Sequence, residues 1–322
     1  MLKRRRRDQS APTTVSAAAQ ALIRDNAPTP FPRRRFRGVV RRSRAQALID
    51  RAPRIAALTE ALTRDVTTER VAGLEVVSIL PRSAPEHLRT VADAVDADHV
   101  VYLHGGAYVV GVAHDALSMS LADATGLPVR SIAYPLAPET PHPGPVEATL
   151  VTYRALLECH GGRVVLAGIS AGGGLALALL QRLRQEGSPL PAALVLLTPW
   201  VDLTPSGDSD EGNEGRDPSL QWRRSCDRAA RAYAAGAPFA DPLLSPVHGD
   251  YGPDVPPTLI TTGTRDLYLS GCVRLYWRLR EAGAPVDLRV WEGMWHAFYG
   301  EAIPEARHAH AEIAAWVHDR LA

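Results

Sequence analysis

From about residue 98 the chain alternates short apolar runs with amphipathic stretches, and this alternation constrains the fold more than any other feature. The runs are His99–Leu103, Val129–Tyr134, Arg163–Ala167, Ala193–Thr198, Thr258–Thr262 and Val286–Trp291. Each is five or six residues long and mostly apolar, which reads as a strand buried on both faces. Helical stretches lie between or after them, at His114–Thr125, Val146–Cys159, Gly172–Gln185, Gly271–Ala282 and Pro304–Leu321. Strands of this kind need helices over both faces, so the pattern predicts an α/β fold with a mostly parallel central sheet. Ligands meet such sheets beyond the carboxyl ends of the strands.

Three parts of the chain break the rhythm. Val15–Arg24 and Ala45–Thr63 read as amphipathic helices, joined by a Pro- and Arg-rich linker at Pro28–Arg37. Leu74–Leu80 alternates like a half-buried strand. Trp200–Asp254 is too long for a simple connection and reads as a lid. Within it, Asp208–Asp217 reads as an exposed acidic loop, Ser219–Ala235 as a helix and Ala240–Val247 as a turn-rich return.

Charge and composition exclude several chemistries. The net charge of +1 hides an uneven distribution: residues 1–44 carry thirteen Lys or Arg against two acids, or +11, which leaves −10 for the rest. Lys3 is the only lysine, and it lies in the basic start. Schiff-base chemistry, a phosphate-loop lysine and a Ser-Lys dyad each need a positioned lysine, so all are excluded. Cys159, Cys226 and Cys272 form no C-x-x-C pair and read as free thiols in a reducing compartment. No membrane-length apolar segment or signal-peptide pattern is seen, which predicts a cytoplasmic protein. The basic start, Lys3–Arg7 with Arg33–Arg44, is read as a solvated tail whose charges pair with the acidic body, in preference to a tether for nucleic acid or an anionic membrane.

The reactive groups fall at strand ends. Gly168-Ile169-Ser170-Ala171-Gly172 fits G-x-S-x-G between a strand and a helix, the setting of a nucleophile elbow. A sharp turn there leaves no room for Cβ atoms at 168 and 172, and the helix N-terminus points its positive end at the serine. His104-Gly105-Gly106-Ala107 closes another strand, and its Gly-Gly turn can aim two N–H groups at an oxyanion. The N–H of Ala171 makes a third donor, and His104 reads as a turn anchor. A serine needs a base and an orienting acid. His296 follows the last strand, whereas His308, His310 and His318 fall in the terminal helix. Asp266 follows the strand Thr258–Thr262, whereas Asp241, Asp250, Asp254 and Asp287 lie at the wrong end or in the insertion. The order Ser170, Asp266, His296 follows.

These motifs, with YPLAPE at Tyr134–Glu139, TPWVDLT at Thr198–Thr204 and DPLLSP at Asp241–Pro246, resemble the hormone-sensitive-lipase-like bacterial carboxylesterases of the α/β-hydrolase superfamily. The resemblance covers roughly Leu74–Ala322 and implies an α/β-hydrolase fold with a helical cap. It divides the chain into a disordered basic tail (1–12), N-terminal cap helices (13–70), a catalytic core (71–199 and 255–322) and a cap insertion (200–254). It departs from the family at Ala107, where a third glycine is usual, at Ile169, where Asp or Thr is usual, and at Ala133–Glu139, where D-Y-R-L-A-P-E is usual. The implied activity is hydrolysis of short-to-medium acyl esters through an acyl-enzyme, with Ser170, Asp266 and His296 catalytic and Gly105, Gly106 and Ala171 forming the oxyanion hole. No metal or organic cofactor is required. The expected partner is a small-molecule ester, with no nucleic acid and no integral membrane association, and relatives often form homodimers. Lactone or N-acetyl hydrolysis by the same triad is the alternative, and a non-catalytic small-molecule receptor is a remote one. Trp200, Trp222 and Tyr233 are candidate pocket residues, with plain packing the competing reading.

Overall fold

The computed structural model describes residues 11–26 and 36–322. Most of the predicted linker at 28–37 and of the predicted disordered tail at 1–12 lies outside those residues, and the linker's last two residues, Phe36 and Arg37, belong to a helix. Eight strands form one sheet: β1 (Thr63–Val71), β2 (Leu74–Pro81), β3 (His99–Leu103), β4 (Val129–Ile132), β5 (Val164–Ile169), β6 (Ala193–Leu197), β7 (Thr258–Gly263) and β8 (Val286–Trp291). Their order across the sheet is β1-β2-β4-β3-β5-β6-β7-β8. β2 is antiparallel to both its neighbours, and all other pairs are parallel. The helices are α1 (Ala17–Asp25), α2 (Phe36–Leu62), α3 (Ala116–Thr125), α4 (Gly144–Cys159), α5 (Ala171–Gln185), α6 (Asp208–Gly212), α7 (Asp227–Ala234), α8 (Leu269–Glu281) and α9 (Pro304–Arg320).

The continuous apolar runs have a direct cause. Successive side chains of a strand point to opposite faces, and here both faces are covered. Val101, Leu103, Leu166, Leu194 and Leu196 pack with α4, α5, α7 and α8 in one buried cluster. Their neighbours Val100, Tyr102, Val165, Val195 and Leu197 pack with α1, α3 and α9 in the other. β8 departs from the predicted double burial. It is one of the two edge strands, paired only with β7, and Arg289 and Val290 are exposed.

Other expectations need correction. Residues 63–70, assigned to the cap helices, form most of β1. Its sequence, TRDVTTERV, is too polar to read as a core strand because it pairs along the sheet's outer edge. Ala72 and Gly73, both at positive φ, make the two-residue turn to β2. The second N-terminal helix begins at Phe36, well before Ala45, and runs through Pro53 to Leu62. Arg44 ties it to the core: it donates to the carbonyls of Val109 and Ala137 and pairs with Glu139. The stretch read as one helix at Ser219–Ala235 begins with a π-helical turn at Trp222–Cys226 before α7. The stretch read as an exposed acidic loop, Asp208–Asp217, contains α6 and buries Ser209, Asn213 and Asp217.

His99, at the start of β3, is fully buried, and burial pushes its pKa down to about 4. A histidine depressed in the folded state stays neutral there while the unfolded chain takes up a proton below about pH 6.5. The fold therefore loses stability as pH falls from about 6.5 to about 4, and His99 alone accounts for about 2 kcal/mol between pH 7 and pH 5. Urea unfolding at the two pH values should show this loss, and His99→Leu should reduce it by about that amount.

Candidate active site

Ser170 sits on a turn that the small residues around it allow. β5 ends at Ile169 and α5 begins at Ala171, so Ser170 alone connects strand to helix, with φ 56° and ψ −121°. A non-glycine residue in that conformation costs about 1–3 kcal/mol. The glycines around it make the close approach possible. A Cβ at Gly168 would lie 2.3 Å from the Gly172 carbonyl oxygen, and one at Gly172 would lie 2.0 Å from that of Leu103. A Cβ at Gly173 would meet Pro199 at 2.7 Å, and one at Gly174 the Trp200 carbonyl at 2.4 Å. The first turn of α5 is thus pressed against the ends of β3 and β6. The Ser170 N–H donates to the Leu197 carbonyl (2.9 Å), which fixes the turn to β6.

The other two predicted groups meet the serine. His296 Nε2 is 2.8 Å from Ser170 Oγ, and His296 Nδ1 is 3.1 Å from Asp266 Oδ1. This arrangement suits a neutral imidazole that donates from Nδ1 to the carboxylate and accepts from the serine hydroxyl at Nε2. Asp266 is fully buried, and its carboxylate also accepts from the Thr262 hydroxyl (2.6 Å) and the Tyr268 N–H (3.0 Å). The Tyr268 ring packs edge-on against the His296 ring, with centroids 4.9 Å apart. Residues separated by 126 and 30 positions in sequence are therefore in hydrogen-bond contact.

The Gly-Gly turn lies beside them. Gly106, Ala107 and Tyr108 all have positive φ (115°, 54° and 62°), and a Cβ at Gly106 would lie 2.0 Å from the Val110 carbonyl oxygen. Ala107 adopts the left-handed conformation that the family's usual third glycine takes without steric cost. A Cβ built on Gly105 comes within 3.3 Å of the Ser170 Cβ, so this turn borders Ser170 directly. His104 anchors the turn: its Nδ1 is 2.7 Å from the Gly105 carbonyl and its ring stacks on Tyr134 at 4.2 Å. Burial pushes its pKa down to about 4, which keeps it neutral.

Gly105, Gly106, Ala107, Ser170 and His296 all line one cavity of about 470 Å³. Ile55, Leu117, Ile169, Leu220 and Tyr268 give it apolar walls, and Arg51, Arg54 and Glu301 add charge. Ser219 and Leu220 come from the insertion, and Arg51 and Ile55 come from α2. Trp200, Trp222 and Tyr233 do not line it. They pack behind it: Trp200 stacks on Tyr268 (5.3 Å), Trp222 meets Trp200 edge-on (6.1 Å) and Tyr233 stacks on Tyr108 (3.7 Å). Sequence reasoning missed the true wall residues because lining depends on where α2 and the insertion come to rest. It also missed Asp217, fully buried beside Asp266 and His296, because an acid at the end of an acidic run carries no local signal of burial.

With this geometry in place, comparison with known proteins is informative. Residues 100–300 match the profile of the alpha/beta hydrolase fold family. An acetyl-hydrolase of Streptomyces hygroscopicus is 41% identical over 220 residues, covering 66% of this chain and 73% of that protein. Among solved structures, esterase E25 superposes with a TM-score of 0.85 at 31% identity over 97% of both chains. An esterase from the bacterial hormone-sensitive lipase family superposes with a TM-score of 0.73 at 35% identity, covering 85% of this chain and 91% of that one.

The close packing around Ser170 predicts a large effect from one methyl group. Gly172→Ala should destabilise the protein by about 2 kcal/mol or more, because the obstructing atom is a backbone carbonyl that cannot move without shifting β3. Urea unfolding measures it, and Gly187→Ala, where positive φ is strained but nothing lies within 4 Å of the added Cβ, is the control for strain without crowding.

Proposed function

Because the chain belongs to the alpha/beta hydrolase fold family, in its hormone-sensitive-lipase-like esterase branch, and is a carboxylesterase-type hydrolase, we propose that it cleaves esters through an acyl-enzyme on Ser170. His296 takes the serine proton as Oγ attacks the ester carbonyl. Asp266 holds the tautomer of His296 and stabilises the imidazolium that forms. The N–H groups of Gly105, Gly106 and Ala171 receive the oxyanion. His296 then protonates the leaving alcohol and activates the water that releases the acid. The observation that carries this reading is the contact chain Ser170 Oγ, His296 Nε2, His296 Nδ1, Asp266 Oδ1 at 2.8 and 3.1 Å, bordering the cavity.

The substrate is an ester with a short-to-medium acyl group. A cavity of about 470 Å³ with apolar walls accommodates such a group. The similarity to an acetyl-hydrolase favours the short end of that range.

Ser170→Ala should lower kcat for p-nitrophenyl acetate by about 10⁴-fold or more while Tm stays within about 3 °C. Substantial retained turnover would sink the assignment of the nucleophile. A series of p-nitrophenyl esters from acetate to laurate should peak in kcat/KM at or below about eight carbons. An acetanilide run beside it reads the amide alternative.

A further inference from the structure

Asp217 takes no part in the reaction described above, yet its carboxylate touches both loops that carry it. Oδ2 accepts from the N–H of Leu267, next to Asp266 (3.1 Å), and from the N–H of His296 itself (3.3 Å). Oδ1 accepts from the N–H groups of Ser219 (2.8 Å) and Leu220 (3.1 Å), which line the cavity. Ser219 Oγ lies 2.8 Å from Asp217 Oδ1 and 3.0 Å from the His296 carbonyl oxygen, with one proton to share between them. The side chain is fully buried, and four of its hydrogen bonds are accepted from backbone N–H groups.

Such a group is expensive. Burial and the nearby charge of Asp266 push its carboxyl up from the usual range, and the surrounding donors oppose that rise. Four of its five contacts are backbone N–H groups that can only donate, and Ser219 Oγ is the one contact able to accept as well as give a proton. Around it the insertion grips the acid loop at several points. Asn213 Nδ2 donates to the carbonyls of Thr264 (3.2 Å) and Asp266 (2.9 Å), Ser209 Oγ donates to that of Leu267 (2.8 Å), and Arg265 Nε donates to that of Arg216 (3.1 Å). Among the described residues, the hydrogen bonds from the insertion to the His296 backbone come from Asp217 and Ser219.

We propose that Asp217, with Ser219, is a positioning unit that holds the His296 loop in register with the Asp266 loop, so that turnover depends on a carboxylate supplied by the cap insertion. The proposal rests on the assignment of His296 as the base and Ser170 as the nucleophile. The two fail separately: an active Ser170→Ala enzyme removes that assignment, whereas a wild-type-like Asp217 variant removes only this proposal.

The substitution Asp217→Asn separates the roles of the two oxygens. An asparagine can keep one acceptor toward Ser219 and Leu220 while turning an NH₂ toward two N–H donors, so the cavity wall persists and the catalytic loops lose their tie. With p-nitrophenyl acetate, kcat should fall by about ten-fold or more, since small misplacement of a catalytic group is costly. KM should stay within about three-fold, because substrate binding is little altered. A fold-stabilising role alone would lower Tm and leave kcat of the folded enzyme unchanged; folded Asp217→Asn with kcat within about two-fold of wild type overturns the proposal. Should that variant not fold, Ser219→Ala carries the test. It leaves the N–H contacts of Asp217 in place and removes the tie to the His296 carbonyl. A kcat fall of about three-fold or more is expected, and a wild-type kcat there overturns the proposal.

Discussion

The close approach of α5 to the sheet at Gly168, Gly172, Gly173 and Gly174 is the constraint on which the rest of the site depends. Backbone meets backbone there, with no Cβ between the first helical turn and the ends of β3 and β6. That contact forces the chain to reverse within one residue and holds Ser170 at positive φ. It also aims the positive end of α5 at Ser170. The energy stored in the turn is supplied by the buried sheet and helix faces around it, not by anything the serine itself does.

The two residues linked to Ser170 by hydrogen bonds are positioned differently. Neither sits on a helix or strand: Asp266 and His296 lie on loops just past β7 and β8, and each loop needs its own restraint. The Asp266 carboxylate is fixed by Thr262 and Tyr268 from its own loop and strand. The His296 backbone is held from outside, by Asp217 and Ser219 of the insertion. The insertion therefore does more than cover the cavity, since the segment that forms part of the wall also braces the Asp266 and His296 loops. Asp202 at its start shows the same economy of buried acids: its carboxylate accepts from Thr204, Ser206 and Arg274.

Most of the core was legible in the chain itself. Strands buried on both faces leave continuous apolar runs, and β3 and β8 fall on the residues the runs marked, with the others differing by a residue or two at their ends. The glycines at 168 and 172 were legible because the turn they allow has a sequence signature. What failed was polar sequence in ordered places. β1 is polar because it lies at the sheet's edge, and Asp208–Asp217 is acidic yet partly buried because its acids meet backbone N–H groups from distant loops. Burial of a charge compensated across long sequence separations leaves no local pattern. The basic start behaves differently again: Arg44, the last of its charges, binds Glu139 and two core carbonyls.

The sequence by itself determined the central sheet and its flanking helices, the sharp turn at Ser170 and the placing of Ser170, Asp266 and His296 past successive strand ends, because each rests on short-range rules of periodicity and turn sterics. By holding a single lysine, in the basic start, it also excluded lysine-based chemistry from the rest of the chain. Tertiary structure decided what surrounds those groups: that α2 and the insertion wall the cavity, that Trp200, Trp222 and Tyr233 pack behind it, and that Asp217 lies against His296. Those outcomes depend on how elements far apart in the chain come to rest against one another, and no local spacing encodes that.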